Sequence, residues 1–143
     1  MGTRSNTVVI ETGYDKEFIL LNMYRQMDGY LSGHGTELYE FMSNIVMCNG
    51  IGIEQDKAIG ANGAGCLAAQ LVAHFKDGVG GTYIERPLKG NAIGVNDYTY
   101  VIRCDTFNPN KGIEVQVFEW GKQIFQGDNT KFGAFLESEK ECV

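Results

Sequence analysis

The order of its hydrophobic periods constrains this chain most. Two short β-branched or apolar runs come first, Thr7-Val8-Val9-Ile10-Glu11-Thr12 and Glu17-Phe18-Ile19-Leu20-Leu21-Asn22-Met23-Tyr24. Gly13-Tyr14-Asp15-Lys16 joins them, so the pair reads as a hairpin. Apolar residues then recur at helical spacing. Leu38, Phe41, Met42, Ile45 and Val46 predict a helix over 36–47, with Glu37 and Glu40 near its positive end. Leu67, Leu71, Val72 and Phe75 share one face among alanines and predict a second helix over 66–76, closed by Lys76 and Gly78. No element is assigned to 48–62.

The last third returns to period two. Strands are expected over 81–86, 98–104, 113–117 and 122–126. Ile113, Val115 and Val117 alternate with Glu114 and Gln116 most cleanly. Asn108-Pro109-Asn110-Lys111-Gly112 and Trp120-Gly121-Lys122 supply the turns. A short helix over 131–137, capped by Asn129 or Thr130, closes the chain. Strands do not alternate with helices, so a doubly wound parallel sheet is excluded. The expectation is one α+β domain over 1–143: an antiparallel sheet of five to six strands, two main helices on one face and a short C-terminal helix.

Composition narrows the function. Twelve basic against 18 acidic residues leave a net charge of −6. That argues against a nucleic-acid polymer as partner, because gripping phosphates takes a Lys/Arg excess. No apolar run approaches the ~20 residues of a membrane helix. Met1-Gly2-Thr3-Arg4-Ser5-Asn6 fits neither a secretory nor a myristoylation signal. A cytoplasmic protein is expected. Cys48, Cys66, Cys104 and Cys142 are too far apart for a C-x-x-C zinc pair, and His34 and His74 are the two histidines. Reduced thiols and no metal or cofactor are expected, with Cys66 and Cys104 packed as small hydrophobes and His74 structural.

Three features carry possible chemistry. Asn62-Gly63-Ala64-Gly65 opens the second helix, where bare amides suit a phosphate. No buried strand precedes it, so a dinucleotide fold is not supported, and the plainer reading is a glycine-rich entry to a core helix. Gly33-His34-Gly35 enters the first helix. Its flexible neighbours put His34 outside the core, as a ligand contact, an acid/base or a surface loop residue. The arginines are few: Arg4, Arg25, Arg86 and Arg103. Arg25 and Arg103 lie on or beside strands and need partners, an internal carboxylate or a ligand phosphate. Tyr30 and Tyr83 are candidates to stack on a base.

Thr3-Arg4-Ser5, two strands, then Tyr24-x-x-x-Asp28-Gly29-Tyr30 and Gly33-x-Gly35 resemble small phage and prophage proteins, among them the Thoeris anti-defence sponge family. The likeness spans the opening quarter of the chain. The resemblance implies a non-catalytic homo-oligomer in the host cytoplasm, sequestering a cyclic ADP-ribose-like or cyclic oligonucleotide immune signal. It places Ser5 and Asp28, from those motifs, with the ligand residues. Arg4, Arg25 and Arg103 are then expected around one hollow, with amides from 62–65 and 32–35. Two rivals stand beside it. One is a phosphodiesterase or ring-opening nuclease using His34 with Asp28 or Glu37. The other is a protein-binding inhibitor of a host defence effector.

Overall fold

The computed structural model describes residues 2–48, 59–87 and 96–141. Its main sheet has six strands: β1 (Ser5–Thr12), β2 (Phe18–Arg25), β5 (Thr82–Ile84), β6 (Tyr98–Asp105), β7 (Ile113–Glu119) and β8 (Lys122–Asp128). Their spatial order is β5-β2-β1-β6-β7-β8. β1 and β2 form the expected hairpin, Ser5 opposite Arg25 and Thr7 opposite Met23. The pair β1–β6 is parallel while the other four are antiparallel, so the sheet is mostly antiparallel. β1 is central and buried on both sides, which is why Val8-Val9-Ile10 is continuously apolar rather than alternating. Trp120 and Gly121, with φ of 50° and 81°, form the tight two-residue turn between β7 and β8.

Three helices pack against this sheet: α1 (Thr36–Ser43), α2 (Gly63–Phe75) and α3 (Asn129–Glu141). The helix expected over 36–47 stops at Ser43. Asn44 turns back to the Phe41 and Glu40 carbonyls, and Ile45 opens a strand, β3 (Ile45–Cys48). β3 runs parallel to β4 (Ile59–Asn62), within the stretch left unassigned; residues 49–58 lie outside the described residues. α2 starts three residues earlier than expected. α3 is longer than expected, and Asp128 caps it by accepting the Lys131 N–H at 2.8 Å, not Asn129 or Thr130.

The core lies between the sheet and the helices. Leu38, Leu67, Leu71, Tyr100, Ile102, Val115, Val117 and Phe132 are fully enclosed. Each such aliphatic side chain contributes about 1.5–3 kcal/mol. Val8, Ile10 and Val101 form a second, small cluster on the opposite face.

Gly29 is where the chain after β2 comes closest to β1. A Cβ there would stand 2.7 Å from Ser5 Cβ and 2.8 Å from the Arg4 carbonyl carbon. Its N–H donates to the Thr3 carbonyl, and its carbonyl accepts from the buried Tyr100 hydroxyl at 2.8 Å. Gly29→Ala is therefore expected to lower stability by about 1–3 kcal/mol in urea denaturation. A loss below a few tenths would mean that this approach is not tight.

Candidate functional site

Residues 31–35 form one widened helical turn that runs into α1. Its Gly33 and His34 amides fold back on the Tyr30 and Asp28 carbonyls at 3.0 and 2.8 Å. The turn drives His34 inward. Contrary to the loop position expected for it, His34 is 0% exposed. Phe75 and Tyr100 flank its ring, with centroids at 4.7 and 5.2 Å. Both ring nitrogens are engaged: Nε2 lies 2.6 Å from Thr7 Oγ1, and Nδ1 3.1 Å from Arg25 Nη1. A guanidinium only donates, so Nδ1 accepts, and the Nε2–H donates to Thr7. Burial, and then the Arg25 charge, push the imidazole pKa down to about 3. His34 is a neutral, sealed group, and solvent-borne acid/base chemistry has no access to it.

Arg25, the last residue of β2, carries this arrangement to the surface. Its Nη1 also pairs with Glu37 Oε2 in the first turn of α1, and its Cζ lies 6.0 Å from the Phe75 ring centre. Among the described residues, Nη2 and Nε have no acceptor. Arg25 lines a cleft of about 430 Å³ with Asp28, Glu37, Phe75, Asp77 and the Gly80–Gly81 loop. Lys76 ties that loop down through the Gly80 and Thr82 carbonyls at 3.0 and 2.7 Å. One guanidinium thus faces three carboxylates. Asp28 adopts φ 61°, which aspartate tolerates better than most residues.

The remaining candidates do not join this cleft as expected. The three arginines do not converge. Arg103 pairs with Glu17 at 3.1 Å and sits opposite Ile10, on the other face of the sheet. It is five strand residues, about 16 Å, along β1 from the position facing Arg25. Arg4 is exposed, and its main-chain N–H donates to Asp97 Oδ2 at 3.1 Å. Ser5 is wholly buried across from Arg25, its hydroxyl without a partner among the described residues. Tyr30 donates to Asp28 Oδ1 at 3.3 Å but lines a different hollow, of about 260 Å³, beside Tyr98 and Leu136. Tyr83, 47% exposed, stands on β5 opposite Tyr24, its ring 6.1 Å from the Tyr24 ring and 5.5 Å from Lys76 Nζ, so it lies on the sheet face away from Arg25 and outside the cleft.

At the start of α2 one amide has a partner within the protein. The Ala64 N–H donates to Thr106 Oγ1 at 3.4 Å, and the Thr106 hydroxyl donates to Glu11 Oε2 at 2.6 Å. Gly63 has φ 82°, and Thr106 Cγ2 lies 3.2 Å from where its Cβ would be. An internal carboxylate thus stands, through Thr106, behind the Ala64 amide, one of those expected to take a phosphate. Gly63 is buried while Asn62 and Gly65 are exposed. This end of α2 lies about 18 Å, twelve residue rises, from Phe75 at the cleft.

Sequence reasoning missed Thr7, Phe75, Asp77 and the Gly80–Gly81 loop. A threonine amid the apolar residues of β1 and the run Asp77-Gly78-Val79-Gly80-Gly81 were the available signals. His74 stacks on Phe41, centroids 4.5 Å apart, and borders the cleft. Cys48, Cys66 and Cys104 are free thiols, and burial pushes Cys104 up to about 12; Cys142 lies outside the described residues. Among the described residues no cluster of three His, Cys, Asp or Glu side chains is placed to hold a metal, and no helix is long and apolar enough to cross a membrane. No protein-family model, curated protein or solved structure matches this chain.

Proposed function

We propose that this protein binds, without cleaving it, a sugar-phosphate signal of the cyclic ADP-ribose-like or cyclic oligonucleotide class, in the cleft around Arg25. The observation that carries the reading is the guanidinium itself. It is held from behind by a neutral histidine and, among the described residues, keeps two nitrogens without acceptors at the wall of a cleft of ligand size. Those nitrogens would take an anionic group. The Asp28 and Asp77 carboxylates would accept from ribose hydroxyls, and the Phe75 and His74 rings in the cleft wall would offer apolar surface to a base. The charge balance favours a ligand rich in hydroxyls and modest in negative charge. Arg4 and Arg103 are not part of this site, and the nuclease alternative loses His34 as its acid/base.

Isothermal titration with ADP-ribose-derived and cyclic-dinucleotide signals tests this. Arg25→Gln is expected to weaken binding about 10- to 100-fold, the worth of charge-assisted hydrogen bonds. Ligand released by heat should come back intact. No binding across the panel, or an altered product, defeats the reading. The protein-partner alternative has its own observation. Tyr14, Phe18 and Phe107 pack edge to face at 5.4 and 4.9 Å, yet each is about half exposed. Capture of a defined defence effector, lost on Phe107→Ser, would favour that alternative.

A further inference from the structure

We infer that Glu37 is the resident counter-ion of Arg25, displaced when a ligand anion enters, and that His34 is the positioning residue that keeps the guanidinium in place during the exchange. This deepens the binding reading and rests on it.

The two partners of Nη1 are unequal. His34 is fully enclosed, fixed at Nε2 by Thr7 and walled by Phe75 and Tyr100, so it has nowhere to go. Glu37 is half exposed, on the first turn of α1, with its side chain in reach of water. An ion pair with one exposed member is weak, because water replaces the partner at little loss. Arg25 is the more buried member of the pair, with 20% of its side chain exposed against 49% for Glu37. An anion that enters at Nη2 and Nε repels the Glu37 carboxylate and competes with it for the guanidinium, so the glutamate, not the arginine, moves. The neutral imidazole accepts one N–H throughout and adds no competing charge.

The test is a titration of inorganic pyrophosphate, at low and high salt, into wild type, Glu37→Gln and Glu40→Gln. Glu40 lies on the same helix and forms no ion pair with Arg25, so it controls for net charge. Glu37→Gln is expected to bind about three- to tenfold tighter than Glu40→Gln, with the gap shrinking in salt and vanishing in an Arg25→Gln background. Equal affinity in the two glutamine variants overturns the counter-ion role. For His34, Asn keeps an acceptor near the Nδ1 position and Leu keeps none, while both lose the bond to Thr7. Asn is expected to retain most of the affinity and Leu to lose it; equal affinities overturn the positioning role. Nitrogen-15 spectra of the wild-type ring give a readout that needs no variant to fold. Nδ1 should be unprotonated from pH 8 to 5, and a protonated Nδ1 sinks the assignment. If Glu37→Gln gains pyrophosphate affinity while wild type ignores every nucleotide, the nucleotide reading fails and this inference stands.

Discussion

Lowering the pH from 6.5 toward 3 is expected to destabilise this protein by about 1.4 kcal/mol per pH unit through His34 alone. In the unfolded chain His34 takes up a proton near 6.5, and in the folded protein only near 3. Between those values the unfolded state binds more protons, so stability falls as acid is added. Above pH 6.5 the ring is neutral in both states and the effect is absent. At pH 4.5 the loss should reach roughly 2–3 kcal/mol, before most carboxylates titrate. Urea denaturation at half-unit pH steps reads this slope. His34→Asn should flatten it between pH 6.5 and 4.5 while lowering stability at neutral pH. A wild-type curve already flat in that window would mean that the ring is not sealed.

Phe132→Ala is the core change with the largest expected effect, a loss of about 3–5 kcal/mol. Phe132 is 0% exposed and reaches from α3 to the Phe125 ring on β8, at 5.6 Å, and to Tyr39 on α1 and Tyr100 on β6, at 6.3 and 6.5 Å. No single neighbour can move to fill that space without leaving another. The urea midpoint should fall with the slope of the transition unchanged. A domain of this size has only about 5–15 kcal/mol in hand, so the variant approaches the edge of folding. A loss under about 1 kcal/mol would mean that α3 is not docked on the sheet.

Elements with one buried face were readable from the amino acids. β7 alternates Ile113, Val115 and Val117 with polar residues because one side meets the core. α2 was readable because Leu67 and Leu71 recur at one helical turn. The end of α1 was not, since Ile45 and Val46 fit a helical period as well as the start of a strand, and Asn44 decides between them through its bonds to Phe41 and Glu40. The candidate site was half readable. Arg25 and Asp28 stood out as residue types and do share the cleft. The burial of His34 was invisible, because its glycine neighbours describe local freedom while Thr7, Phe75 and Tyr100 arrive from three distant segments. The same applies to Arg103, whose partner Glu17 is 86 positions away.

The parallel pairing of β1 with β6 also governs when this fold can come into being. Ser5 meets Tyr98, so the central strand waits 93 positions for its second neighbour. A chain emerging from the ribosome makes the first hairpin early but holds one flank of β1 unsatisfied until two-thirds of the polypeptide has been made. Closure of so long a loop slows the search for the native state. Until then Val8, Val9 and Ile10 offer an open, apolar β edge to other chains.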